Sequence, residues 1–145
     1  MFGEKKTLLY VDDDADGRDL MKYWLAFADL EFVATDSAES ALYQLKQRPF
    51  DGCVLDYCLP DMTGPNLCRK IREIDKHKPI IFYSAIGRDI DRQNALEAGA
   101  SLYLIKPNDL DRLRWEISEL VSEGMRMQIQ MPRPHHPLRR ARSIV

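Results

Sequence analysis

Four short apolar runs each stop at a residue that can do chemistry. Thr7–Val11 (TLLYV) gives way to Asp12, Asp13 and Asp14, and Gly52–Leu55 (GCVL) to Asp56. Pro79–Tyr83 (PIIFY) stops at Ser84, and Ser101–Ile105 (SLYLI) stops at Lys106, with Pro107 next. A further run, Glu31–Ala34 (EFVA), offers only Thr35 and Asp36. If the run ends meet, carboxylates, a hydroxyl and an ammonium share one pocket. Clustered carboxylates repel and do not all ionise comfortably without a cation. Hard oxygen ligands favour Mg²⁺ or Ca²⁺, and carboxylates with water and a phosphate suit Mg²⁺. Such a pocket can carry phosphoryl transfer: a carboxylate attacks phosphorus, the metal and a lysine neutralise the equatorial oxygens, and a hydroxyl donates to the third. Each residue also has an ordinary explanation: helix N-terminal acids for Asp12–Asp14, a solvated turn acid for Asp56, a turn cap for Ser84, an exposed lysine for Lys106. Their joint placement, each at the end of a different run, favours the site.

The runs are separated by amphipathic stretches. Residues 15–28 carry Leu20, Met21, Trp24, Leu25, Phe27 and Ala28 on one helical arc. Ser37 can cap a helix to about Gln47 with Ala38, Ala41, Leu42 and Leu45 inward. Pro65 suits the first turn of a helix striped by Leu67, Ile71 and Ile74. Asp89–Ala98 reads as a helix with the weakest stripe, ended by Gly99. Asn108 or Asp109 caps a last helix to about Glu123, with Leu110, Leu113, Ile117, Leu120 and Val121 inward. Five strands alternating with five helices imply right-handed βαβ crossovers and a parallel sheet covered on both faces. Ligands of such sheets bind outside the carboxyl ends of the strands.

The chain has 145 residues, room for one domain with a core that needs no staples. Three cysteines, an odd number without paired CxxC spacing, read as reduced core or near-core thiols. No apolar run approaches a membrane span, and MFGEKKTLLYVDDD lacks a signal-peptide pattern, so a cytoplasmic protein without membrane insertion is expected. The net charge of −2 hides an asymmetry: residues 124–145 hold five arginines and no acid, leaving an acidic body. That body lacks the basic character of a nucleic-acid binder.

The motifs LLYVDDDADGRDL, VLDYCLPDMTG, IIFYSA and ALEAGASLYLIKP, in this order and spacing, resemble the receiver domain of two-component response regulators over about residues 5–123. The resemblance implies a flavodoxin-like α/β fold, a doubly wound parallel five-stranded sheet of order 2-1-3-4-5. It implies Asp56 as phosphoacceptor. Asp12 and Asp13 become the acid pair for Mg²⁺, Asp13 direct and Asp12 largely through water. The backbone carbonyl of Cys58 becomes another ligand. Ser84 and Lys106 contact the phosphoryl group, Pro107 is cis, and Tyr103 is the rotating switch aromatic. The implied partners are a sensor histidine kinase or histidine phosphotransfer protein, and a downstream protein or second copy through helix 4, strand 5 and helix 5. Cys58 and Ile86, two residues after the phosphoacceptor and the switch hydroxyl, orient water poorly, which implies slow self-hydrolysis.

On this division, residues 1–123 form the receiver and 124–145 a basic, Pro/Arg-rich tail. In the tail, Met125–Met131 alternates like a strand that could add to a sheet edge or cover Trp115, with a frayed end as the ordinary alternative, and PRPHHPLRRARSIV reads as disordered, with His135 and His136 solvated. Trp115 lies about 140° around the helix from Leu110, on an outer face that suits a partner or second copy, or a ring packed under the tail or singly exposed. About 22 residues after the last helix leave no room for a DNA-binding effector domain, so a single-domain regulator or a segment of a larger protein is expected. Three rivals remain at this stage. One is a haloacid-dehalogenase-like aspartyl-phosphate phosphatase, because Asp12-x-Asp14 imitates its nucleophile motif. Another is a receiver-like interaction module acting without phosphorylation. The last is a flavodoxin, whose phosphate the acidic first loop would repel.

Overall fold

The computed structural model describes residues 5–129, and the side chains of the last helix through Val121. Strands and helices alternate: β1 (Lys6–Val11), α1 (Ala15–Trp24), β2 (Leu30–Thr35), α2 (Ala38–Gln47), β3 (Gly52–Leu55), α3 (Gly64–Ile74), β4 (Ile80–Ser84), α4 (Asp89–Glu97), β5 (Leu102–Ile105) and α5 (Leu110–Ile129). All strand pairs are parallel, in the order β2-β1-β3-β4-β5. The alternation of elements is the one the sequence pattern leads one to expect, and the strand order is the one the resemblance implies.

Every residue of β3 is buried, which explains its unbroken apolar run: a central parallel strand is covered on both faces. Alternate residues feed two core layers. Leu9, Val11, Cys53, Leu55 and Phe82 pack with Ala41, Leu67, Ile71 and Ala95 under α2, α3 and α4. Leu8, Tyr10, Val54, Ile81 and Leu104 pack with Met21, Leu25, Leu113 and Ile117 under α1 and α5. Ser37 caps α2 by accepting the N–H of Ser40 at 3.1 Å, and Thr63 caps α3 ahead of Pro65. The α4 stripe is thin, as its sequence suggests: Asp91 and Ala95 are its buried residues, its start has no side-chain cap, and Ile90 is exposed.

Several apolar positions differ from the expected stripes. α1 stops at Trp24, so Phe27 leaves the helical phase that placed it inward, and both Phe27 and Leu20 are exposed. A ten-residue helix buries one narrow stripe, and Met21 and Leu25 fill it. The guanidinium of Arg114 from α5 stacks 5.0 Å from the Trp24 ring and 4.5 Å from Phe27, giving these rings a cationic partner. Ile74, the last residue of α3, is exposed because no further turn continues over it. Trp115 is half-buried rather than outstanding. Cys53 and Cys68 are buried, and burial pushes their thiols up to about 12 and about 11, whereas Cys58 is exposed instead of lying near the core.

The alternating segment after Gly124 is helical through Ile129, not a strand. Met, Arg and Gln all favour helix, and the first proline after Glu123 is Pro132, so nothing stops propagation from α5. The expectations for Pro132 onward, including His135, His136 and the last arginines, lie outside the described residues. No described helix is long and apolar enough to cross a membrane.

Gly99 ends α4 with φ +113°, and a Cβ there would stand 2.8 Å from the Arg72 side chain. Arg72 meanwhile donates to the Gly99 carbonyl at 2.9 Å and to the Lys78 carbonyl. Gly99→Ala is expected to destabilise the fold by about 1–3 kcal/mol, because it imposes both an unfavourable φ and a clash. Urea unfolding checks this, with an unchanged midpoint as the contrary result.

Candidate functional site

Strand register assembles the site. The Val11 carbonyl accepts the Asp56 N–H at 3.0 Å, and the Ser84 carbonyl accepts the Lys106 N–H at 2.9 Å. The residues that follow β1, β3 and β5 therefore meet at one end of the sheet. Carboxylate oxygens of Asp12, Asp13 and Asp56 lie within 4.8 Å of one another. Lys106 reaches in from β5, with Nζ 2.8 Å from Asp12 Oδ2 and 3.1 Å from Asp56 Oδ2. The peptide after it, Lys106–Pro107, is cis, as the resemblance implied. Asp14 stands apart and caps α1, accepting the Gly17 N–H at 3.1 Å. The acid run thus serves both a helix N-terminus and the cluster. Thr35 is buried at the end of β2 and Asp36 accepts from Ser40, so neither belongs to the cluster.

Asp12 is only 1% exposed, so its charge needs partners. Its Oδ1 accepts the Asp14 N–H at 3.0 Å, and its Oδ2 accepts the Tyr10 hydroxyl at 3.0 Å besides Lys106. Arg18 donates to its backbone carbonyl at 2.9 Å and pins the loop. Burial works against ionisation of Asp12, but Lys106, the Asp14 N–H and Tyr10 outweigh it and hold the carboxyl below its usual range. Burial likewise works against the Lys106 ammonium, and its bonds to Asp12 and Asp56 outweigh that and raise it. Burial and the Asp12 charge push the Tyr10 phenol up, so it remains a donor.

A second layer runs from the site to α4. Ser84 is 1% exposed, and its Oγ accepts the Ile86 N–H at 3.3 Å. Tyr103 is fully buried and donates its hydroxyl proton to the Ile86 carbonyl. Its ring stacks on Phe82 at 5.6 Å, with the Arg92 guanidinium of α4 5.9 Å away. The ring therefore already fills interior space. Tyr57 donates its backbone N–H to Asp56 Oδ1 at 2.7 Å, and its hydroxyl accepts from Asn94 of α4 at 3.3 Å. Cys58, two residues past Asp56, has its thiol at the surface and its backbone bridged to Thr63.

Some residues that build the site carry no clear signal in the sequence. Tyr10 and Tyr57 look like ordinary apolar-run and loop aromatics, and only their hydroxyls distinguish them from phenylalanine. Gly64 must be glycine because a Cβ would stand 2.4 Å from the Asp56 carbonyl oxygen and 2.6 Å from the Phe82 ring. Asp61 accepts the N–H groups of Ala38 and Glu39 at 3.0 and 2.8 Å, joining the loop after Asp56 to the start of α2. That pairing spans more than twenty residues of sequence, which no local motif announces.

The family model described as "Response regulator receiver domain" matches residues 8–118. Among curated proteins, the chain is 34% identical over 124 residues to the response regulator protein PilR of Pseudomonas aeruginosa, covering 86% of this chain and 27% of that protein. It is 35% identical over 103 residues to the probable transcriptional regulator ycf27 of Guillardia theta, covering 71% of this chain and 40% of that protein. The chain thus spans well under half the length of both relatives. A crystal structure of a putative response regulator from Chloroflexus aurantiacus matches with a TM-score of 0.75 and 30% identity, covering 82% of this chain and 99% of that one.

The electrostatics fix the sign of one pH effect. The Asp12 carboxyl is held below its unfolded-state value of about 3.9. Its stabilisation is complete above that value and is lost as pH falls through the lower folded-state value. Urea unfolding in metal-free buffer, followed downward from about pH 6, is expected to show a shallower acid loss in Asp12→Asn than in wild type. Equal slopes would contradict the role given to its hydrogen bonds.

Proposed function

This chain belongs to the response regulator receiver domain family, and from that premise we propose that it accepts a phosphoryl group on Asp56 and relays the change to the face of α4, β5 and α5. Receivers are signalling modules rather than turnover enzymes, and family membership sets aside the phosphatase and flavodoxin alternatives. The observation that carries the proposal is the charge count of one pocket. Among the described residues, three carboxylates face a single ammonium, a formal excess of two negative charges held at the carboxyl end of a parallel sheet.

The donor set fits Mg²⁺, the cofactor we propose: hard carboxylate oxygens of Asp12, Asp13 and Asp56, with the Cys58 backbone carbonyl completing the protein ligands. Bound there, the ion would neutralise charge on the transferring phosphoryl oxygens. Asp56 supplies the nucleophile. Its carboxylate oxygen forms a bond to phosphorus while the phosphorus–nitrogen bond of a phosphohistidine donor breaks, and the imidazole nitrogen keeps that electron pair. Lys106 already touches Asp56 and follows the charge onto a phosphoryl oxygen. Ser84, whose oxygen accepts from Ile86, turns its own proton to a phosphoryl oxygen.

Relay follows from the same bonds. A phosphoryl group brings more charge and more acceptor oxygens than a carboxylate. Ser84 moves toward it and draws Ile86, and with Ile86 the hydroxyl of Tyr103. Because the Tyr103 ring is already inside, the displacement passes to the loop before α4 rather than requiring a swing inward. α4, with its thin apolar contact, is the element that yields. The phosphodonor is a sensor histidine kinase or a histidine phosphotransfer protein, and the receiving partner is a downstream protein or a second copy. Nucleic acid is not among the partners proposed for the body.

Incubation with acetyl phosphate and Mg²⁺ is expected to add one phosphoryl group to wild type and none to Asp56→Asn, read by intact mass. No addition to wild type would defeat the proposal and favour an interaction module that works unphosphorylated. Once formed, the phosphorylated protein is expected to decay over many minutes, since Cys58 and Ile86 flank the site without a group that orients water. Decay within seconds, followed by the same mass shift, would be the contrary result.

A further inference from the structure

Lys106 is shared between two carboxylates, 2.8 Å from Asp12 and 3.1 Å from Asp56. Only the second contact serves the nucleophile. Whatever satisfies Asp12 by other means weakens its hold on Lys106. Asp12 Oδ1 is served by the Asp14 N–H at 3.0 Å. Asp12 Oδ2, the oxygen that binds Lys106, also accepts the Tyr10 hydroxyl at 3.0 Å.

Tyr10 sits two residues before Asp12 on β1, so both side chains leave the same face of the sheet. It is 2% exposed, and its ring packs against Phe32 at 5.8 Å. Packing explains the ring but not the hydroxyl. A buried hydroxyl costs stability unless it is bonded, and here it is bonded to the oxygen that competes for Lys106. We propose that Tyr10 is a positioning residue: its hydroxyl takes up part of the negative charge on Asp12 Oδ2 and so leaves Lys106 free to engage Asp56 and the group transferred to it. The inference rests on the reading of Asp56 as phosphoacceptor.

Tyr10→Phe removes the hydroxyl and keeps the ring contact. A merely structural defect would weaken every ligand alike, whereas charge sharing predicts opposite effects. Without the hydroxyl, Asp12 carries more uncompensated charge and attracts both Lys106 and a cation more strongly. In the variant, beryllofluoride affinity at saturating Mg²⁺ is expected to fall about threefold to tenfold. Mg²⁺ affinity, titrated without beryllofluoride, is expected to hold or rise. Tyr10→Leu, a second variant without the hydroxyl, is expected to show the same split. Unchanged beryllofluoride affinity, or parallel losses for both ligands, would overturn the proposal. A crystal structure of the metal-free variant gives a readout independent of phosphorylation: Lys106 Nζ is expected to leave Asp56 Oδ2 for Asp12. If wild type bound no beryllofluoride, the reading of Asp56 would fail, and that structure would still decide the role of Tyr10. Lys106 remaining on Asp56 would reject it.

Discussion

Like charges held close together constrain everything around them. Carboxylate oxygens of Asp12, Asp13 and Asp56 share a space less than 5 Å across, and Lys106 is the cation that bonds two of them. Left to themselves these groups would protonate or move apart. The fold holds two of them in place. Asp12 is fixed by hydrogen bonds from Lys106, Tyr10 and Asp14, and Asp56 by the Tyr57 N–H. The remaining charge imbalance is the feature on which the proposed cation site and phosphoryl chemistry rest.

A parallel sheet is well suited to bring these groups together. Its strands end together, and each crossover helix begins where a strand stops. Asp14 therefore caps α1 while its neighbours Asp12 and Asp13 face the cluster. The same layout sets the cost of movement. β3 is buried throughout, whereas α4 is held by few apolar contacts and by polar ones that lead back to the site. Asn94 bonds Tyr57, Arg92 lies over Tyr103, and Tyr103 bonds the carbonyl of Ile86. The well-packed part of the molecule holds the charges, and the proposed relay runs to the weakly packed part.

The strand ends were legible because period and punctuation agree: short apolar runs, each followed by a polar residue. Strand boundaries fall within a residue or so of the expected ones, and Ser37, Pro65 and Gly99 mark helix ends as their chemistry requires. The helix stripes were less legible at their edges. Phe27 lies past the true end of α1, and Leu20 sits beside the narrow stripe that a short helix buries. Local alternation misled after Gly124, where helix propensity carries α5 onward to Ile129. What the sequence could not reveal were contacts between distant residues. Asp61 on the start of α2 and Asn94 on the Tyr57 hydroxyl depend on which loops the fold brings together.

The account turns on whether the acid cluster is a cation site. Calorimetric titration of metal-free protein with Mg²⁺, beside Asp13→Asn, tests this most directly, since Asp13 is exposed and its loss leaves the core intact. Saturable uptake of a single ion by wild type, strongly weakened in the variant, is the result predicted. Absence of binding by wild type, or equal binding by both proteins, would contradict it.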